Sequence, residues 1–141
     1  MQLEIADRQD VLNVPRRAVS EVLSAGLSLE DVDGDLSVVL VDDDGIVELN
    51  RRFLGRDRVT DVLAFPYETN ERIEGEIIVN AELARRVARD HPHSAEDELM
   101  LYIVHGLLHM LGYDDHSEED ARRMRRREQE VLNAAGRSVE Y

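Results

Sequence analysis

An apolar stretch that carries two histidines constrains this chain more than any other feature of its sequence. Residues 98–111 could form about four helical turns, and they are apolar almost all round, so such a helix must lie in the centre of the fold. His105 and His109 are four residues apart, which places both imidazoles on one face of the helix. Two imidazoles in this arrangement can bind a single metal ion, and such binding would explain why a buried helix contains two histidines.

The residues after this helix can supply a third metal ligand. Gly112 can end the helix in a left-handed conformation and turn the chain back, which brings His116 and two neighbouring aspartates towards the helical histidines. Three protein ligands leave one tetrahedral position for water, as in catalytic zinc sites. Because the chain has no cysteine, the ligands must be imidazole and carboxylate groups. The sequence therefore predicts the zinc site of a small metal-dependent hydrolase.

The residue after the first histidine separates two classes of hydrolase. Zinc peptidases with the same histidine spacing carry a glutamate there, which serves as the general base. This chain has Gly106 instead, so a peptidase would need Asp114 or Asp115 to transfer the proton. His91 and His93 flank a proline before the central helix, and we expect them to be loop residues rather than ligands.

The rest of the pattern predicts an α+β fold, with a small mixed β-sheet packed against helices. Strands are predicted from short apolar and β-branched runs, and helix starts from proline, aspartate, asparagine and serine at capping positions. The strands are expected at residues 36–41, 62–65 and 76–79, and the helices are expected to begin near Pro15, Asp42, Asn80, Ser94 and Ser117. The length of 141 residues predicts one domain over residues 1–141.

Charge is distributed unevenly along the chain. A formal net charge of -14 argues against a general affinity for nucleic acid, since phosphates would be repelled on average. All 17 basic residues are arginines, and they cluster at residues 51–58 and 122–127. We interpret the second cluster as the solvent-exposed face of a helix that begins with acidic residues, which suits the helix dipole. Local charge must therefore decide which partners bind.

The N-terminus and the longest apolar run indicate where the protein works. The first residues contain no basic segment followed by an apolar run, so we expect no signal peptide. The run at residues 99–111 is interrupted by histidines and is too short to span a bilayer. These features predict a cytoplasmic protein with no membrane partner.

Three blocks of sequence resemble a known family. They are LNRRFLGRDRVTDVLAFP at residues 49–66, GEIIV at residues 75–79 and HGLLHMLGYD at residues 105–114. The first is similar to a Leu-Asn stretch leading to Thr-Asp-Val-Leu-Ser-Phe-Pro, the second to a Gly-Asp-Ile strand, and the third to a histidine signature. All three patterns, in this order, are typical of the YbeY family, the bacterial metallo-endoribonucleases of ribosomal RNA maturation.

The resemblance implies a zinc ion held by three histidines and cleavage of single-stranded RNA. It further implies a role in 3′-end maturation of 16S rRNA and in ribosome quality control, with rRNA, ribosomal particles and ribosome-assembly factors as partners. His105 and His109 match the first two ligands of the family. The family's third histidine directly follows Gly-Tyr-Asp, where this chain has Asp115, with His116 one residue later. We expect His116 to bind the metal, because a loop tolerates one inserted residue; Asp115 is the alternative ligand.

A second departure from the family lies in the first block. Family members commonly have an arginine just before the glycine of this block, and this chain has Leu54 there. Arg51, Arg52, Arg56 and Arg58 are nearby, and we expect them to contact the RNA. Two other functions remain open at this point: a ribosome-assembly binding module with a structural metal, and a minimal zinc peptidase.

Overall fold

The computed structural model describes residues 1–67 and 72–140, and within these residues a four-stranded mixed sheet packs with five helices. The strands are β1 (Leu3–Asp7), β2 (Gly34–Val41), β3 (Val62–Tyr67) and β4 (Ile73–Asn80). The helices are α1 (Arg16–Leu29), α2 (Asp43–Leu54), α3 (Ala81–Ala88), α4 (Ala95–Met110) and α5 (Glu118–Ala134). The strand order is β1-β2-β4-β3, with β1, β2 and β4 parallel and β3 antiparallel at one edge. The predicted α+β class is confirmed.

Every strand and helix predicted from the sequence is present, and one strand was not predicted. Leu3 is the one buried residue of β1, so the side chains of this strand give a weak signal. The strand forms because β2 offers it a parallel ladder. β3 continues past its predicted end through Pro66 to Tyr67. A proline is tolerated there because β3 is an edge strand with one free side.

The sheet separates two apolar clusters of unequal size. Alternate side chains of β2 and β4 point to opposite faces. One face carries the main core, in which Val22 of α1, Ile103 of α4 and Leu132 of α5 are fully buried. The other face is covered by α2, where Ile46 packs against Val39. The central helix predicted from residues 98–111 is thus α4, and no helix of the described residues could cross a membrane.

Gly106 allows α4 to lie close to the sheet. A Cβ atom at this position would be only 3.0 Å from the Cγ2 atoms of both Ile77 and Val62. A larger side chain would have to push the helix away from β3 and β4. The glutamate that zinc peptidases carry here would therefore point into a packed interface, and the peptidase alternative loses its usual base.

Asn80, the last residue of β4, ties together the segments that lead to the site. Its side chain is fully buried, and its Nδ2 donates to the carboxylate of Asp43 (2.8 Å) and to the carbonyl of Thr60 (3.3 Å). Its Oδ1 accepts from the backbone N–H groups of Glu82 and Leu83 and so caps α3. The Asn80 side chain therefore holds together the N-termini of α2 and α3 and the segment that precedes β3.

We expect Asn80→Ala to lower the free energy of unfolding by about 2–3 kcal/mol, because it removes a helix cap and two further hydrogen bonds. Urea denaturation followed by circular dichroism measures this loss. Asn133→Ala is the matched control, since Asn133 is exposed on α5; it should change stability by less than about 0.5 kcal/mol. Equal effects of the two substitutions would contradict the role assigned to Asn80.

Candidate metal centre

The two histidines of α4 point their outer ring nitrogens at each other. His105 Nε2 and His109 Nε2 are 3.0 Å apart, and the rings meet edge to face with centroids 4.6 Å apart. The His105 side chain is 26% exposed, and His109 is exposed. The helical spacing therefore places both imidazoles at one point, as predicted, with one of them partly sheltered by the fold.

The turn after α4 brings a carboxylate to the same point. Gly112 has φ +100°, a conformation that L side chains rarely adopt, and it reverses the chain at the end of the helix. Asp115 follows, and one ligand atom from each of His105, His109 and Asp115 lies within 4.8 Å of the other two. His116 lies outside this group; its backbone N–H donates to Asp114. The structure thus brings together the two expected ligands and the alternative third ligand.

Each histidine is oriented through its inner ring nitrogen. His105 Nδ1 is 2.5 Å from a carboxylate oxygen of Glu128 on α5, and His109 Nδ1 is 3.0 Å from the carbonyl oxygen of Tyr113. An Nδ1–H that donates to these acceptors leaves the Nε2 lone pair available for a metal. Asp114 and Asp115, the aspartates of the returning turn, are thus not the partners of either inner nitrogen.

The sequence analysis did not identify Glu128 as a site residue, although its place in the pattern of α5 is unusual. Met124, Glu128, Val131 and Leu132 form the buried face of α5, so a carboxylate interrupts an otherwise apolar stripe. An acidic residue is seldom fully buried unless it has a partner. That pattern indicates a buried partner, but the identity of the partner depends on how α5 packs on α4.

The turn that carries Asp115 is anchored to two other helices. The hydroxyl of Tyr113 donates to Glu30, just after α1, at 3.0 Å, and Arg127 of α5 binds the same carboxylate at 2.6 Å. Burial and the neighbouring Glu30 carboxylate raise the pKa of the Tyr113 hydroxyl, so it remains a donor. Arg127 is thus an exception in the arginine cluster of α5, which the sequence placed on a solvated face.

Negative charge surrounds His105 and favours a cation at this point. Burial alone would lower the pKa of His105, but its hydrogen bond and charge interaction with Glu128, together with the charges of Asp61 and Asp115, raise the pKa above its usual value. The same carboxylates would stabilise a metal ion, which competes with the proton for the imidazole. The site is therefore electrostatically suited to a divalent cation.

A cleft of about 830 Å³ opens beside His105 between α3, α4 and α5. We call it the helix cleft; Leu83, Val87, Leu101, His105 and Glu128 are among its lining residues. It lies within the size range of about 300–1,000 Å³ that is usual for ligand sites. The candidate metal centre thus has an adjoining space for a substrate.

The four arginines expected to contact RNA lie on the surface around the end of α2. Arg51 pairs with two carboxylates of its own segment, and the Arg52 guanidinium lies 5.7 Å from the ring centre of Phe53. Arg56 and Arg58 are exposed, as is Leu54. α2 covers the opposite face of the sheet from α4, so these arginines are not among the described residues that line the helix cleft.

His91 and His93 lie before α4, at the end distant from the candidate metal ligands. His93 Nε2 is 2.6 Å from Glu98, and both side chains are buried. The rings of His91 and His93 stack with centroids 5.3 Å apart. Among the residues that the structure describes, the metal-ligand group includes neither of them.

We expect Glu128→Ala to weaken zinc binding by about 10- to 100-fold, because His105 loses the acceptor that fixes its orientation. Glu128→Gln retains an acceptor and should lose less. Competition with a chromogenic chelator measures the affinity. Glu119→Ala is the control, since Glu119 is exposed on the same helix. Unchanged zinc affinity in Glu128→Ala would contradict this role.

Known proteins similar to this chain match most of its length. The family model described as Endoribonuclease YbeY matches residues 3–136. Endoribonuclease YbeY of Clostridioides difficile is 36% identical, with 94% of this chain and 95% of that protein covered. The protein of the same name from Desulfitobacterium hafniense is 43% identical, with coverages of 78% and 77%.

A solved structure is similar as well. The solution structure of a Thermotoga maritima protein matches with a TM-score of 0.65 and 31% identity, over 94% of this chain and 90% of that one. The fold of this chain is therefore similar to that of a solved protein over most of both chains. On this evidence the chain belongs to the YbeY endoribonuclease family.

Proposed function

We propose that this protein is a zinc-dependent endoribonuclease that cleaves single-stranded RNA in the 3′-end maturation of 16S rRNA and in ribosome quality control. The observation that carries the proposal is the convergence of His105, His109 and Asp115 in a chain of this family. Its partners are then rRNA and ribosomal particles, with ribosome-assembly factors as further partners, and its place of action is the cytoplasm, where ribosomes are assembled.

The residues present fit a zinc ion. Zn–N bonds of about 2.0–2.1 Å at tetrahedral angles place two nitrogen ligands about 3.3 Å apart. The Nε2 atoms of His105 and His109 are 3.0 Å apart, so a small rotation of either ring suffices. A carboxylate oxygen of Asp115 completes a set of two nitrogens and one oxygen, which zinc accepts in catalytic sites.

The chain's own residues would bind and orient the reactants. When bound, zinc supplies a Lewis acid that polarises the phosphodiester and activates water near neutral pH. His105 and His109 hold it, and Glu128 keeps His105 in the orientation and tautomer that binding requires. With zinc bound, this point would attract an RNA phosphate although the chain as a whole is acidic.

Asp115 is our proposed third ligand, in place of the His116 expected from the sequence. We expect Asp115→Ala to reduce the zinc content of purified protein well below one ion per chain and His116→Ala to leave it unchanged. Metal analysis by mass spectrometry after dialysis measures both. The reverse result would assign the third position to His116 and contradict the geometry of the turn.

RNA cleavage should depend on the metal and on His109. We expect a chelator to abolish cleavage of a single-stranded oligoribonucleotide and added zinc to restore it, while an unstructured peptide stays intact. His109→Ala should reduce cleavage by at least about 10³-fold, since it removes a ligand on which the chemistry depends. His91→Ala serves as the control because His91 lies before α4, away from the ligands. Cleavage that persists in His109→Ala would refute the metal-dependent mechanism.

A further inference from the structure

The helix cleft begins beside His105, the one candidate ligand among its described lining residues, and follows α4. Glu98, Leu101, Tyr102 and His105 line it, and this spacing places them on one face of the helix. With a rise of about 1.5 Å per residue, the cleft extends about 10 Å from His105 towards the start of α4. A ligand group bound in the cleft would therefore lie next to His105.

The walls of the cleft are apolar on two sides. Leu83 and Val87 of α3 and Leu101 of α4 line the cleft, and all three are only partly buried. Partly exposed apolar side chains in a concave site lose contact with water when a flat ring covers them, which favours binding of the ring.

The charges in the cleft disfavour an anion inside it. Asp61, Glu98 and Glu128 line the interior, and Arg125 of α5 is the cation among the lining residues. The Arg125 side chain is exposed, and it can contact a phosphate at the mouth. Glu98 is already bonded to His93 and Glu128 to His105. Asp61 is partly exposed at the cleft, and its carboxylate can accept a hydrogen bond from an amino or imino group of a neutral heterocycle.

We propose that the helix cleft binds the base of a nucleotide adjacent to the scissile phosphate, a role that rests on the proposed endoribonuclease function. An apolar ring face, N–H donors at the ring edge and an attached phosphate are the properties of a nucleotide. A base in a duplex is stacked and paired and cannot enter such a cleft, whereas an unpaired base can be splayed out.

A kinetic experiment tests whether the helix cleft contacts a base of the RNA. An oligoribonucleotide with one cleavage site is compared with versions that carry a single abasic ribose at successive positions. For wild-type zinc-loaded protein, an abasic ribose at one position next to the cleaved bond should lower kcat/KM about tenfold. An abasic ribose at any other position should lower it little. Val87→Gln should cause a similar fall through a higher KM on the intact RNA, at unchanged zinc content and melting temperature.

The losses of kcat/KM caused by the abasic ribose and by Val87→Gln should not be additive. In Val87→Gln, the abasic ribose at the sensitive position should cost less than about twofold, since the contact is already weakened. Val47→Gln is the matched control, because Val47 is also partly buried but lies on α2, across the sheet. Additive losses, or a scan without any sensitive position next to the cut, would overturn the proposal.

A binding measurement separates failure of this proposal from failure of the proposed function. Methyl NMR spectra of the zinc-loaded protein are recorded with a ribonucleoside 5′-monophosphate and with ribose 5-phosphate, which lacks the base. We expect saturable shifts at the methyls of Leu83, Val87 and Leu101 with the nucleotide alone, whether or not RNA is cleaved. Equal shifts with ribose 5-phosphate, or shifts with N-acetyl-leucine amide and none with the nucleotide, would refute a base site.

Discussion

The hydrogen bond between His105 and Glu128 joins the packing of the fold to its candidate chemistry. It connects α4, which is buried at the centre, to α5, which closes one side of the core. Glu128 lies among apolar side chains, so removing its partner would leave a buried carboxylate without compensation. The orientation of the imidazole and one wall of the helix cleft therefore depend on this contact.

A second contact of α5 fixes the remaining part of the site. Arg127, next to Glu128, binds Glu30 after α1, and Glu30 holds the hydroxyl of Tyr113. The carbonyl of Tyr113 in turn orients His109, and Asp115 follows two residues later. Adjacent residues of α5 thus control both histidines and the returning carboxylate, although α5 itself supplies none of the described metal-ligand group.

The features that could be predicted from the sequence are those that depend on local periodicity. Helical spacing revealed α4 and the shared face of His105 and His109, and capping residues revealed where the helices begin. The position of Asp115 depends on the anchoring of Tyr113 by Glu30, which is 83 residues away in the chain. The partnership of Glu128 with His105 likewise spans 23 residues and two helices. Sequence patterns do not encode such contacts, so choosing Asp115 over His116 as the proposed third ligand, and finding the groups that orient the histidines, required the structure.

The central claim is that one metal ion binds His105, His109 and Asp115. A crystal structure of the zinc-loaded protein, with anomalous diffraction recorded on both sides of the zinc edge, tests it most directly. The account predicts one anomalous peak about 2.0–2.2 Å from the Nε2 atoms of both histidines and from a carboxylate oxygen of Asp115. A peak coordinated by other side chains, or no peak near α4, would contradict it.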